Sequence, residues 1–378
     1  LKIKFRIKYM KEIQEINRRN FLKTATVATV GAITMPSIIK GAETSGQVVL
    51  AFVGCAHIHT PGFINLLKSR KDVKVKYVWD HDNVRGARRA RELEAINVTD
   101  LNKIWEDSEV AGVVICSETQ LHAKLVSEAA KAKKHMFVEK PLGITGAESK
   151  EMAAAIEKAG LIFTTGYFMR TDPKHIFLKE QIQKGAFGKI TRARGSNCHS
   201  GSLGGWFDNE WRWMADPKIA GVGAFGDLGT HSLDILMWLL GDIESTIADI
   251  RIVTGRYADC DETGEALLKF KNGTIGTLAA GWVDVDNPVT LLISGTNGHA
   301  VIINNELYFK SDKVQGADGR KPWRELPPAP PLPLHQFVNA VAGQKDMPLV
   351  TPKEAAARVS VMEAAYKSAK TGTWEKVV

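Results

Sequence analysis

Short apolar runs alternate with helix-length polar segments between residues 47 and 139, and that alternation constrains the fold more than any single residue does. Gln47 to Gly54, Val110 to Cys116 and His135 to Val138 are nearly uninterrupted apolar stretches, as strands buried on both faces require. Val73 to Asp80 alternates like a strand and ends in an acid, while Thr60 to Ser69, Val84 to Leu93 and His122 to Ala132 read as helices. Strands and helices of these lengths in this order predict parallel β-α-β units. After Lys150 the texture changes. Glu151 to Ala159 and His175 to Lys184 read as helices and Leu161 to Gly166 as a strand. Ile243 to Val253, Thr263 to Phe270, Thr274 to Trp282, Val289 to Ser294 and Ala300 to Ile303 then read as longer, alternating strands, with Asn272-Gly273 as a hairpin turn. The expected class is α/β: an N-terminal doubly wound parallel sheet, then an α+β domain with an open, mostly antiparallel sheet. The expected boundaries are a leader over 1–45, a dinucleotide-binding domain over 46–165, a substrate and oligomerisation domain over 166–330, and a proline-rich linker with closing helices over 331–378.

Charge excludes one function class. The formal net charge is +8, but residues 1–45 hold nine Lys/Arg against three acids, leaving 41 basic and 39 acidic residues elsewhere. The body is nearly neutral and offers no footprint for nucleic acid. In the leader, Arg18-Arg19-Asn20-Phe21-Leu22-Lys23 precedes a mildly apolar run from Thr24 to Ile39, the pattern of a twin-arginine export signal. That run is too short and too rich in Thr and Gly for a stable membrane span. Export by this route, into the periplasm, carries a folded protein across, with any cofactor already held. Cys55, Cys116, Cys198 and Cys260 show neither zinc nor disulfide spacing and are expected as free thiols.

Glu139-Lys140-Pro141 ends the last apolar run, and the carboxyl end of a parallel strand is where such folds bind ligands. Gly226-Asp227-Leu228-Gly229-Thr230-His231 places Asp227 and His231 four apart, on one face of a helix start. Read singly, these residues fit a solvated lysine, a helix cap and a core histidine; together they fit a proton-transfer group over a dinucleotide. The loop Gly54-Cys55-Ala56-His57-Ile58-His59 keeps the first glycine of Gly-x-Gly-x-x-Gly and substitutes Ala56 and His59 for the others. Asp80, 26 residues after Gly54, stands where an acid binds the adenosine ribose, which favours NAD, while Arg85 leaves NADP open. His57 and His59 have no carboxylate downstream at a ligand spacing, so no metal is expected. They face phosphates or substrate, or cap the helix. Trp206, Trp211, Arg212 and Trp213 suit a sugar, and equally a packed aromatic loop; His199 and Arg170 are placed in the same cavity.

On these residues, together with the Ser117 to His122 loop, Gly166-Tyr167 to Pro173, Gly185 to Ile190 and Gly221 to Asp234, the chain resembles the glucose-fructose oxidoreductase / inositol dehydrogenase / rhizopine catabolism (Gfo/Idh/MocA) superfamily over about residues 47–375. The resemblance implies an N-terminal Rossmann domain and a C-terminal sheet that covers the nicotinamide and makes the oligomer contact, hence a homodimer or homotetramer. It implies cofactor contacts at Gly54, Ala56, His57, Ile58, His59, Asp80, Ser117, His122, Glu139, Lys140 and Pro141. It implies catalysis by Lys140, Asp227 and His231, with His231 as general base at an ordinary pKa, Lys140 steadying the alkoxide and Asp227 orienting the pair. Asp234 closes the same motif and joins Arg170, His199, Trp206, Arg212 and Trp213 as substrate candidates. Glu118 departs from the family's usual proline. The implied activity is NAD-dependent oxidation of a sugar or polyol. A redox-neutral, oxidation–elimination cleavage of a glycoside and a non-catalytic nicotinamide or sugar sensor are the alternatives.

Overall fold

The computed structural model describes residues 47–378; the twin-arginine segment and the rest of the leader lie outside the described residues. The first sheet consists of β1 (Val48–Cys55), β2 (Val73–Trp79), β3 (Ile96–Val98), β4 (Gly112–Cys116), β5 (His135–Val138) and β6 (Phe163–Thr165). Its order is β3-β2-β1-β4-β5-β6, and every pairing is parallel. Helices α1 (Thr60–Lys68), α2 (Asn83–Leu93), α3 (His122–Lys131) and α4 (Gly146–Lys158) make the crossovers. The apolar runs are what bury: Leu50, Ala51, Phe52 and Val53 of β1 have no exposed surface. The strand order reverses between β1 and β4, so the loops after those strands open a crevice at their carboxyl ends, the ligand-binding edge of such sheets.

The second sheet has nine strands: β7 (Ile190–Cys198), β8 (Ile243–Arg251), β9 (Thr263–Phe270), β10 (Ile275–Gly281), β11 (Val289–Gly295), β12 (Gly298–Ile303), β13 (Glu306–Ser311), β14 (Asp318–Pro322) and β15 (Glu375–Lys376). Their order is β14-β13-β12-β11-β7-β10-β9-β8-β15. All pairs are antiparallel except β7 with β10. A parallel pair needs a crossover, and α6 (Ala224–Leu240), packed on β7, β9 and β10, belongs to it. The sequence did not signal β7, because Thr191, Arg192 and Arg194 interrupt its apolar alternation.

Besides two four-residue helices, Asn102–Trp105 and Pro217–Ala220, the described residues hold α5 (Pro173–Gln183), α7 (Pro333–Val341) and α8 (Pro352–Thr371). Although α7 follows the second sheet in sequence, its Leu334, Phe337 and Val338 pack into the core of the first. α8 lies on α4 and β8, and so joins the two sheets.

Candidate active site

The last residue of β5 hands the chain to Glu139 and Lys140, both buried. Lys140 Nζ donates to Asp227 Oδ1 at 2.6 Å and to the Asp227 carbonyl at 3.2 Å. Asp227 lies in the first turn of α6, and its other oxygen accepts from Trp282 Nε1 at 3.1 Å. Burial works to raise this carboxyl, but the Lys140 ammonium overrides it and holds it down at about 2. One turn on, His231 is buried and its Nδ1 has no partner among the described residues. Phe168 packs on the imidazole at 5.0 Å between ring centroids, and Tyr167 meets it edge-on. Burial first, then the Lys140 charge, hold His231 well below the usual histidine value, while Asp227 works the other way. The ordinary pKa expected of His231 is therefore corrected: the imidazole stands neutral, with its Nδ1 unpartnered among the described residues. His199 lies within the field of Asp227 and Lys140, its Nδ1 taken by the Gly201 N–H and its ring against Trp206.

The glycine loop faces this cluster. Gly54 has φ +78°, and a side chain there would run into the Ser117 backbone at 2.6 Å, so the first fingerprint glycine is required by both strain and space. Thr60 and Pro61 open α1, whose N-terminus has no side-chain cap; helix N-termini of this kind suit an anion. His57 and His59 both lie against Glu139: His59 Nδ1 is 2.8 Å from Glu139 Oε1, while His57 Nδ1 is 3.8 Å from it and accepts the His59 backbone N–H at 3.2 Å. The carboxylate missing from their own segment thus arrives from 80 residues away. Asp80 is at the expected strand end, but its oxygens are taken by Cys55 N, Asp82 N and both nitrogens of an Arg85 fork, at 2.7–2.8 Å. Arg85 also donates to Glu118 at 2.9 Å. The glycine turn and the uncapped helix end fit a dinucleotide, whereas Asp80, expected at the adenosine ribose, is committed to Arg85 and to the backbone N–H groups of Cys55 and Asp82.

Comparison with known proteins decides the family. Residues 48–167 match the model described as "Oxidoreductase family, NAD-binding Rossmann fold", and residues 175–301 match the "GFO/IDH/MocA C-terminal domain". The chain belongs to the GFO/IDH/MocA family. Levoglucosan dehydrogenase of Pseudarthrobacter phenanthrenivorans is 30% identical over 245 residues, 58% of this chain and 61% of that protein. Myo-inositol 2-dehydrogenase of Thermotoga maritima is 31% identical over 188 residues, 47% and 52% of the two chains. The 2,7-anhydro-N-acetylneuraminate hydratase of Escherichia coli is 28% identical over 236 residues, 60% of each chain. The chain thus spans between half and two thirds of the length of these relatives. A levoglucosan dehydrogenase structure with NADH and levoglucosan superposes with a TM-score of 0.72 at 23% identity, covering 88% of this chain and 99% of that one, which establishes the shared fold.

Within this GFO/IDH/MocA framework, the other expected residues divide by what they touch. His122 is buried among the carbonyls of Pro141, Leu142 and Ser117, so it ties two crevice loops together. Ile58 is half-buried on the C-terminal core, and Ser117 is buried against Gly54. Trp213 Nε1 donates to the Ala56 carbonyl at 3.1 Å, and Arg88 and Arg89 both reach Glu210. The aromatic segment therefore lies across the glycine loop. Arg212 caps Ala215 and stacks over Tyr257 at 4.9 Å, and Trp206 is half-exposed. Arg170 and Asp234 pair with each other at 2.6 Å, and Asp234, fully buried, also accepts from Arg358 at 2.9 Å. These two were expected at the substrate; the structure commits them to an ion network that fastens α6 to α8. Trp282 and the Arg85–Glu118 pair went unread in the sequence, since nothing local marks a residue whose partner arrives from another element.

Proposed function

We propose that this chain is an exported, periplasmic, NAD-dependent oxidoreductase that acts on a sugar or polyol hydroxyl and keeps its cofactor. The observation that carries the reading is the buried Lys140–Asp227 pair, one helical turn from the unpartnered Nδ1 of His231, at the dinucleotide-binding edge. Bound NAD supplies a hydride acceptor. The chain's own residues handle the proton and the charge. Neutral His231 takes the hydroxyl proton as general base. Lys140, itself buried, steadies the developing alkoxide, where a fixed charge acts strongly. Asp227 balances Lys140 and raises the basicity of His231, and Trp282 fixes its orientation. Relatives named for levoglucosan and inositol support a polyhydroxylated substrate. Exposed Leu267 and Ile275 on the outer face of the second sheet support a homodimer or homotetramer.

A second reading is redox-neutral cleavage, in which oxidation acidifies a neighbouring carbon, a substituent leaves, and the ring is reduced again. A hydratase among the relatives favours it, as does the cost of losing NADH outside the cytoplasm. The test starts with protein as purified, with no cofactor added. Released nicotinamide is identified after denaturation, and fresh protein is incubated with sugars and aryl glycosides. Reduction of bound NAD by a sugar supports the first reading, and glycoside cleavage without net reduction supports the second. Sugar binding with neither would make the chain a sensor. Lys140→Ala is expected to abolish turnover in either case while leaving NAD bound; full activity in that variant would overturn the catalytic assignment.

A further inference from the structure

His57, His59 and Glu139 each offer a ligating atom, and these atoms lie within 4.8 Å of one another. Two imidazoles and a carboxylate are the donor set of catalytic zinc sites that keep a coordination position open. The carboxylate is also oriented from outside the trio: its Oε2 accepts from the Lys140 backbone N–H at 2.8 Å, leaving Oε1 toward the two rings. Such outer bonds position ligands in metal centres.

Position makes the same case independently. His59 stands where the dinucleotide fingerprint carries glycine, so its ring is present at the expense of tight helix–strand packing. It is the half-exposed member, and gives the trio a path to solvent.

We propose that His57, His59 and Glu139 bind one divalent first-row transition metal, zinc being the best match to the donors. The metal lies beside Lys140, where a Lewis acid polarises an oxygen of a polyhydroxylated ligand. The proposal does not rest on the sugar reading, because metal binding is read with no substrate present. The full chain is treated with chelator, and cobalt(II) is titrated in as the probe while its visible ligand-field bands are followed. Wild type is expected to bind one equivalent with the intense bands of four- or five-coordinate cobalt, and zinc is expected to displace it. His59→Gly restores the residue the fingerprint ordinarily has, and cobalt affinity is expected to fall by at least about tenfold, with NAD affinity and the melting temperature read alongside. His57→Gln is expected to weaken binding likewise, with the melting temperature read alongside. Absence of a stoichiometric cobalt spectrum in wild type, or unchanged affinity in folded His59→Gly, would overturn the site.

Discussion

Replacing Asp227 by Asn keeps the shape of the side chain and removes its charge, leaving the buried Lys140 ammonium without its 2.6 Å partner. The magnitude follows from two contributions. The Asp227 carboxyl sits at about 2 in the fold, against an ordinary 3.8. A folded pKa below the unfolded one means that ionisation favours the folded state. This stabilisation is complete above the unfolded value and is lost as pH falls through the folded one. It is worth roughly 2 kcal/mol at neutral pH, of which about half is gone by about pH 3. Orphaning the ammonium adds a pH-independent part, for a total of about 3–5 kcal/mol. Urea unfolding of wild type and variant at about pH 7, 5, 4 and 3 measures both parts, since the gap should narrow by about 1 kcal/mol across that range. Turnover with the best sugar should fall by about 10²–10⁴-fold, the usual cost of disabling a proton-transfer group. A difference in unfolding energy below about 1 kcal/mol, or one that is the same at every pH, would refute the claim that Asp227 is a buried counter-ion to Lys140.

Three further outcomes are expected. Because burial and Lys140 hold His231 well below its usual value, the base stays unprotonated, and kcat should remain flat from about pH 8 to about pH 6 instead of falling through the ordinary histidine value of about 6.5; a break near that value in the pH–rate profile would contradict this. Trp282→Phe removes one charge-assisted hydrogen bond to Asp227 and should cost about 1.5–3 kcal/mol of stability with a parallel loss of kcat, read by denaturant melts and steady-state assays. Glu118→Gln lowers the negative charge around Arg85 and should raise the ratio of NADP to NAD use by about tenfold, measured as kcat/KM with each cofactor; an unchanged ratio would separate Glu118 from cofactor choice.

Residues whose placement depends on local geometry were legible in the sequence. Asp227 and His231 share a helix face because they are four apart, and Lys140 follows the end of a strand because the apolar run before it must be buried. The first sheet was legible for the same reason, since strands covered on both faces write themselves as apolar runs. Strand β7 was not, because it presents Arg192 and Arg194 outward and pairs in parallel with a strand that follows a long crossover. Partners that meet across the fold were equally hidden: Trp282 reaches Asp227 across 55 residues and Arg85 reaches Glu118 across 33.

Departures from a motif carry information that agreement does not. On sequence grounds His59 only weakens the glycine fingerprint, and Glu118 only breaks a family pattern. In the fold each has acquired a charged partner: His59 meets Glu139 at 2.8 Å, and Glu118 meets Arg85 at 2.9 Å beside Asp80. His59, Glu118 and Glu139 lie in loops at the carboxyl ends of the parallel strands, and Arg85 in the first turn of α2, where a change of side chain alters the ligand edge without disturbing the buried apolar runs that define the sheet. The apolar core is shared with the family, and these two positions are where a change in what the crevice binds is expected. Restoring glycine at position 59 and removing the charge at position 118 are accordingly expected to act separately, the first on metal affinity and the second on the choice of dinucleotide. The double variant should show both effects additively, since no residue is shared between the two contacts. Strong non-additivity, measured as cobalt affinity and cofactor ratio in the same protein, would mean that the two loops move as one unit.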